Sequence, residues 1–184
     1  MKLHSSQHGF SLIEVVVVTA AIGIIGSLAA AMLFQGSDIY ADETQRQGFV
    51  SEARSAFWRL QRDTQGQTNP QDFILSNGNI IYVTNATGEQ KNYQFDSNGS
   101  LTLEKNSTTY TLSNATNYSS SAFQFYNSSY TAISPTFGGM IQAEAEAVHL
   151  AKLTVVFVAD QDTLHLSTWV FPENFRFGTK MSYH

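Results

Sequence analysis

One carboxylate lies near the start of the longest apolar run of the sequence. The run extends from Phe10 to Phe34 with Glu14 as its fifth residue, and no ionisable residue follows from Val15 to its end. A carboxylate in a spanning helix costs about 2.5–3.5 kcal/mol at the bilayer centre, and less near the edge. The chemistry open to Glu14 is pairing with a positive group, which would offset this cost.

The uncharged part of this run is long enough to cross a membrane. Val15 to Phe34 gives twenty residues, and at about 1.5 Å per residue a helix of that length matches the ~30 Å core of a bilayer. The sequence therefore predicts a transmembrane segment near the N-terminus.

Two histidines and two aspartates accompany the last predicted hairpin. His149 and His165 lie on its two strands, and Asp160 and Asp162 lie in the turn between them. A metal centre needs several converging oxygen or nitrogen ligands, whereas aspartate is also common in solvated turns. We predict a solvated turn, with neither a metal nor a cofactor.

A second pair of carboxylates, Glu144 and Glu146, could suggest acid–base catalysis. No oxyanion hole or partner base is recognisable near them, and the sequence has no phosphate-binding loop, nucleophile elbow or HExxH motif. We predict a solvated loop or sheet edge here, no catalytic residue, and a protein that is not an enzyme.

The balance of charge argues against a nucleic-acid coat. The formal net charge is −5, and general nucleic-acid binding requires a basic surface. Arg176 and Lys180, among C-terminal aromatic residues, could form a small patch for single-stranded DNA. We expect this segment to pack on the sheet instead.

The composition fits one globular domain and one anchor. The chain has 184 residues, of which 42% are hydrophobic. It has no cysteine, which excludes disulfides, zinc–thiolate sites and a thiol nucleophile. An exported domain of this composition must be held together by packing and β-ladders.

Three interpretations fit the N-terminus. A secretory signal peptide would be removed, with Ala29-Ala30-Ala31 as a cleavage site, although its apolar run is usually only about 7–15 residues long. A plain signal anchor would keep the short N-terminus in the cytoplasm and export the rest, which gives Glu14 no function. The third interpretation accounts for the glycine, the carboxylate and the apolar run together.

Residues 8–14, HGFSLIE, follow a polar leader and open the apolar run. This arrangement resembles the class III signal peptide of type IV pilins and type II secretion pseudopilins. In that family, prepilin peptidase cuts after the glycine and methylates the new N-terminal phenylalanine. The resemblance implies cleavage between Gly9 and Phe10, N-methylation of Phe10, and an assembly role for Glu14, which would neutralise the N-terminal amine of a neighbouring subunit.

The resemblance also implies partners and a location. The partners would be other pilin or pseudopilin subunits, prepilin peptidase and the inner-membrane assembly platform. The chain would cross the bacterial inner membrane once, with its C-terminal domain in the periplasm, before it enters a filament. Some pseudopilins bind calcium in a loop, and Asp160 and Asp162 are the residues that could do so here.

The pattern predicts four regions: a leader (1–9), a transmembrane helix half (10–34), an amphipathic helix half (35–66) and a β-rich domain (70–184). In the amphipathic half one set of residues forms an apolar face: Phe49, Ala53, Ala56, Phe57 and Leu60. Another set forms the solvated side, with Arg59 and Asp63 spaced for an ion pair: Glu52, Arg54, Arg59, Arg62 and Asp63.

The remaining sequence predicts an antiparallel sheet, and hence an α+β, pilin-like fold. We expect three hairpins and two further strands. The hairpins join 73–75 to 80–83, 92–95 to 100–103, and 148–158 to 163–171, and the further strands are 109–112 and 123–126.

The finer role is open to more than one interpretation. Short motifs such as Arg59–Asp63 are similar to minor pseudopilins of the J type and minor pilins of the W type, which implies a priming or tip role. An alternative is an adhesive or DNA-binding pilin that uses loops Ser113–Ser121 and Ser134–Gly139. A signal-anchored periplasmic protein is a further alternative.

Overall fold

The computed structural model describes residues 11–172, except 86, 137 and 161. It confirms the predicted α+β architecture, with one long N-terminal helix and antiparallel sheets. The chain divides into two compact units, Met1–Arg46 and Gln47–His184.

The first unit contains the N-terminal part of helix α1, which extends over Leu12–Gln65. This helix is long and apolar enough to cross a membrane, with a mean hydropathy of 2.4 in its most apolar window. That window has no buried residue. The apolar side chains of this window are therefore exposed in the structure.

The second unit begins with the C-terminal part of α1, where the predicted apolar face is confirmed. Ala53, Ala56, Phe57 and Leu60 are buried in one core with the strands, and Phe49 packs against it. The same face continues one turn further with Thr64, which is buried and donates its hydroxyl to the carbonyl of Leu60 at 2.8 Å. The hydroxyl thus finds a partner within the helix, which removes the penalty for its burial.

Within the described residues, eight strands form two antiparallel four-stranded sheets. The first sheet has the order β1-β2-β3-β4, and the second has the order β6-β5-β7-β8. The strands are β1 Ile80–Thr84, β2 Gln90–Phe95, β3 Leu101–Lys105, β4 Thr108–Ser113, β5 Ala122–Tyr126, β6 Ala132–Ile133, β7 Leu150–Ala159 and β8 Asp162–Val170.

The two sheets share one hydrophobic core. Phe95 of β2 stacks on Phe123 of β5 with ring centroids 4.4 Å apart. Phe73 packs against Phe125 of β5 at 5.4 Å. Aromatic pairs of this kind bury large areas and add about 0.5–1.5 kcal/mol beyond that burial.

The predicted first hairpin is wrong in its first half. Residues 73–75 are not a strand, because Pro70–Phe73 forms a short 3-10 helix whose cap Asn69 accepts a hydrogen bond from Gln71. Leu75 then takes a positive φ of 69°, and its amide donates to the carbonyl of Met140 at 2.9 Å. The prediction placed the turn at Asn77-Gly78 correctly, since Asn77 accepts from two following amides.

The other two hairpins are confirmed. β2 and β3 pair around a turn in which Gly99 has a φ of +87° and donates to Asp96 at 3.0 Å. β7 and β8 pair from Ala151 opposite Val170 to Ala159 opposite Asp162. The short strand β6 and the helix α2, Gln142–Glu146, were not predicted, because two and five residues are too few to show a period.

We predict that Leu60→Ala destabilises the second unit by about 2–5 kcal/mol, since it leaves a cavity in a fully buried position. Trp58→Ala, on the same helix but at a position that is 67% exposed, should change stability by no more than about 0.5 kcal/mol. Chemical unfolding of the detergent-solubilised chain measures both. Equal losses in the two variants would contradict the assignment of the buried face.

Candidate assembly site

The predicted assembly residue Glu14 lies in the first turn of α1. Its amide donates to the carbonyl of Ser11 at 3.0 Å and to the Ser11 hydroxyl at 3.3 Å. A serine cap with a glutamate three residues later is typical of helix starts, and a carboxylate is stabilised near the positive end of the helix dipole. The helix start thus gives the Glu14 carboxylate a local stabilising role.

The helix start does not require the carboxylate to lie in an apolar run. Glu14 is exposed, as are the apolar side chains around it: Leu12 is 84% and Ile13 is 69% exposed. In a membrane these neighbours would contact lipid or another helix, and an unpaired carboxylate would be costly there. Gly9 and Phe10, the predicted cleavage and methylation residues, lie outside the described residues.

The apolar part of α1 contains small residues that no contact among the described residues requires. A Cβ atom added to Gly23 or Gly26 would meet no atom within 4 Å, so nothing in the folded chain requires glycine there. In membranes, small residues allow two helices to approach closely. Gly23, Gly26 and the run 29–31 are therefore suited to contact with a helix of another subunit.

A second charged site links α1 to the first sheet within the second unit. Asp63 accepts from the Lys91 ammonium at 2.8 Å and from the Tyr93 hydroxyl at 2.6 Å. The side chains of Asp63 and Lys91 are only 10% and 11% exposed, and Tyr93 is completely buried. The prediction that Asp63 faces solvent is wrong, because β2 brings two donors over the last turns of the helix.

The pKa of Tyr93 is raised well above the ordinary tyrosine value. Burial is the main cause, and the hydrogen bond to the Asp63 carboxylate is the second. Both make an ionised phenolate more costly in the folded state. The hydroxyl therefore keeps its proton and remains a donor to Asp63.

The two candidate metal-binding histidines are far apart. Val156 pairs with His165 in the last hairpin. His149 lies one residue before β7 begins, seven residues from Val156 and therefore about 23 Å away at ~3.3 Å per residue. His149 instead packs edge-on against Phe171, with ring centroids 4.6 Å apart. Among the described residues, no group of three or more histidines, aspartates or glutamates could hold a metal ion.

The two candidate acidic residues Glu144 and Glu146 lie in helix α2 and tie it to neighbouring segments. Glu144 accepts from the Thr136 hydroxyl and from the amide of Ile141, and Glu146 accepts from Gln142 and Gln71. The pKa of each is lowered, first by the bond from Thr136 or Gln142. A lowered pKa favours a permanent carboxylate and not a proton donor at neutral pH. The loop or sheet edge predicted for Glu144 and Glu146 is in fact this helix.

Arg176 and Lys180, the candidate residues for contact with single-stranded DNA, lie outside the described residues.

The pairing of Asp63 with Lys91 and Tyr93 was not predicted from the sequence. The only sequence signal for this pairing was that Asp63 directly precedes Thr64, the last residue of the apolar stripe. The partners come from strand β2, which begins at Gln90, and spacing along one helix could not reveal them.

Comparison with known families gives one finding at the N-terminus. Residues 4–30 match the model of the prokaryotic N-terminal methylation motif. The match confirms the predicted class III signal, and it supports a pilin-like or pseudopilin subunit that is processed by prepilin peptidase. No curated protein and no solved structure matches the chain, and the J-type or W-type assignment stays a prediction.

We predict that stability falls as the pH rises above about 10, because unfolded Tyr93 ionises near that value while the folded residue keeps its proton. Below that pH, this contribution to stability is fully present. Tyr93→Phe should make the alkaline loss smaller, and Tyr110→Phe, at a position 52% exposed, should leave it unchanged. Unfolding curves at pH 8 to 11 test this, and an unaltered slope in Tyr93→Phe would contradict it.

Proposed function

We propose that this chain is a non-enzymatic filament subunit of the type IV pilin or type II secretion pseudopilin class. It is made as a precursor in the bacterial inner membrane, with its β-rich domain in the periplasm. Prepilin peptidase removes residues 1–9 and methylates Phe10, and the mature chain then joins a filament of similar subunits. The observation that carries this proposal is the match of residues 4–30 to the methylation motif.

The described structure supports the proposal in two ways. The methylation motif runs into a helix whose most apolar window is completely exposed, as a helix that is to be buried among others requires. The same helix carries a buried stripe in the second unit, so it serves both as a membrane segment and as part of the domain core. A removable signal peptide would not need to continue into a domain core.

Glu14 has a defined function in this proposal. Cleavage after Gly9 creates an ammonium group on Phe10, at the edge of the apolar layer, and methylation leaves that group charged. In the filament, the Glu14 carboxylate of one subunit pairs with the Phe10 ammonium of a neighbour. Each charge alone is costly in lipid, and pairing offsets the cost for both, so the pair sets the axial register of the helices.

We further propose that this is a minor subunit that primes assembly or lies at the filament tip. The support for this finer role is the resemblance of its short motifs to the J-type and W-type subunits. The resemblance includes Asp63, whose bonds to Lys91 and Tyr93 fix the end of the helix on the sheet.

The processing step is tested by the intact mass of the chain in membranes with and without prepilin peptidase. We expect a loss of residues 1–9 and a gain of one methyl group only when the peptidase is present. An uncut chain would contradict the proposal, and so would a cut near residues 29–31, since it would return the protein to the anchored or secreted class.

We predict that Glu14→Ala leaves cleavage intact but lowers incorporation into filaments at least about tenfold, since the neighbour's ammonium loses its partner in an apolar layer. Ser11→Ala is the matched control, because it removes the helix cap but keeps the carboxylate. It should be processed and incorporated nearly as the unaltered chain is. Quantitative immunoblots of membrane and filament fractions measure both steps, and normal incorporation of Glu14→Ala would show that the carboxylate does not set register.

A further inference from the structure

The outer face of the second sheet carries an exposed tryptophan beside a lysine. Lys152 of β7 lies opposite Trp169 of β8 on one side and opposite Gln124 of β5 on the other. Ala151 and Leu153, the neighbours of Lys152 along β7, are completely buried. Because successive residues of a strand face opposite sides of the sheet, Lys152 and the two residues opposite it face away from the core.

Contacts among the outward side chains hold the tryptophan ring in place. The ring centroids of Tyr126 and Trp169 are 4.9 Å apart, and the Lys152 ammonium lies 5.3 Å from the centroid of the Trp169 ring. The Tyr126 hydroxyl donates to the amide oxygen of Gln124 at 3.3 Å. Trp169 nevertheless remains 53% exposed. We call Gln124, Tyr126, Lys152 and Trp169 the aromatic platform. A ring that is already fixed loses little entropy when a ligand packs on it.

A solvated sheet face does not require a tryptophan at this position. Thr154 and Ser167, the next outward pair on the same two strands, are small and lie within hydrogen-bond distance of each other at 3.2 Å. Trp169 instead leaves about half of a large apolar ring in water, which is unfavourable unless another molecule covers it. Tryptophan and tyrosine are enriched at binding surfaces, because each joins a large apolar ring to one polar atom. The aromatic platform therefore has the composition of a binding surface.

The charge of the aromatic platform favours an anionic ligand. The chain has a net charge of −5, yet none of the four platform residues is acidic, and neither is either member of the adjacent hydroxyl pair. Lys91 pairs with Asp63 at 2.8 Å and Lys105 pairs with Glu89 at 2.7 Å. Lys152, by contrast, forms no ion pair with any residue that the structure describes. Its ammonium can therefore accept the carboxylate of a ligand without giving up one from the chain.

The groups on this face match an acidic sugar. The C–H face of a sugar ring can lie on the ring of Trp169, and its hydroxyls can donate to and accept from the amide of Gln124 and the hydroxyl of Ser167. A uronic acid adds one carboxylate at the rim of the ring, for which Lys152 supplies one cation. Single-stranded nucleic acid also stacks on aromatic rings, but its affinity depends on several cations along the phosphate backbone, and the aromatic platform has one.

We infer that the aromatic platform binds an acidic polysaccharide that contains uronic acid. A sugar ring stacks on Trp169, and its carboxylate pairs with the Lys152 ammonium. The buried stripe of α1 shares its core with Leu153 and Phe157 of β7, so it lies on the opposite side of this sheet, and the platform stays accessible when α1 is surrounded by other helices. Attachment of a filament tip to such a polysaccharide would rest on the proposed function, whereas the binding itself does not.

Tryptophan fluorescence gives a direct measurement of binding at the platform. The chain has two tryptophans, so Trp58→Phe leaves Trp169 as the only one. An oligosaccharide of galacturonic acid, added to the detergent-solubilised full chain, should change the emission of Trp169 until the site is saturated. A neutral oligosaccharide of galactose should bind at least about tenfold more weakly, since it lacks the charge-assisted bond to Lys152. Equal affinity for the two sugars, or no saturable change with the acidic one, would overturn the inference.

Substitutions separate the two parts of the site, with affinity measured by titration calorimetry. Lys152→Gln should lower affinity for the acidic oligosaccharide at least about tenfold and leave affinity for the neutral one unchanged, while Lys152→Arg should keep most of the affinity for both. Trp169→Ala should weaken the binding of both sugars at least about tenfold, because each loses the ring on which it stacks. An equal effect of Lys152→Gln and Lys152→Arg, or full affinity in Trp169→Ala, would contradict the assigned contacts.

Trp58→Ala is the matched control for Trp169→Ala. Trp58 is 67% exposed on α1 and lies between two exposed arginines, Arg54 and Arg62, so it is the other place where an anion and an aromatic ring could meet. This variant should bind both sugars as the unaltered chain does. If Trp58→Ala loses the acidic sugar and Trp169→Ala does not, the sugar binds to the helix and the inference is overturned.

Two other occupants of the platform give distinct results. If a single-stranded oligonucleotide binds more tightly than the acidic oligosaccharide, and Trp169→Ala abolishes its binding, the ligand is a nucleic acid and the inference is overturned. If removal of residues 173–184 changes the emission of Trp169 while the acidic oligosaccharide does not, the chain's own C-terminus occupies the platform, and the inference is overturned as well.

These tests can fail independently of the proposed function. If the chain is cut after Gly9 and enters filaments but the acidic oligosaccharide does not bind, only the inferred site is wrong. If the oligosaccharide binds through Lys152 and Trp169 but the chain is never cut and never enters filaments, the inferred site is supported and the proposed function is wrong.

Discussion

A long helix segment with exposed apolar side chains is the constraint on which the rest of this protein depends. From Val15 to Phe34 the side chains are exposed, and water is an unfavourable environment for that much apolar surface. A membrane can provide a favourable environment first, and a bundle of similar helices can do so later. In both environments the backbone N–H and C=O groups must form hydrogen bonds within the segment. A continuous helix provides these bonds.

In the proposed filament, Glu14 would give direction to this otherwise non-specific apolar contact. Apolar helices can slide along each other at little cost, whereas a carboxylate in an apolar layer is favourable only where it meets a cation. Cleavage after Gly9 would create one cation in each subunit, at a fixed distance from Glu14 along the chain. The cleavage that the methylation motif implies would supply the cation, and Glu14 would supply the anion, of the same pair.

The second unit uses polar and apolar contacts together. The buried stripe from Ala53 to Thr64 supplies apolar burial, which is not directional. Asp63, Lys91 and Tyr93 add bonds that only one register of the helix on β2 can form. Ion pairs of this kind contribute little net stability but can select one arrangement among several.

The regular parts of the fold were predictable because their apolar residues recur with the period of a helix or a strand, and because their turns contain characteristic residues. The helix from Leu12 to Gln65, the hairpin of β7 and β8, and the turn at Gly99 follow directly from spacing and turn chemistry. Residues 73–75 were wrongly predicted, since an apolar triplet is equally compatible with a strand and with a 3-10 helix that buries Phe73.

The candidate site was predictable only where it is local. Glu14 could be identified because its cost arises from its immediate neighbours in the apolar run. The partners of Asp63 could not, because β2 reaches it only in the folded domain. The exposure of Arg54 and Arg62 was predicted from the helix period and is confirmed, because it depends only on which side of the helix they occupy.

In the proposed function, the mature chain begins at Phe10 and is a component of an assembled filament. The most direct test is mass spectrometry of the N-terminal peptide of this chain in purified filaments. We expect a peptide that begins with N-methylated Phe10, and no copy in the assembled fraction that retains residues 1–9. Full-length chains in the filaments, or complete absence of the chain from them while it accumulates in membranes, would contradict it.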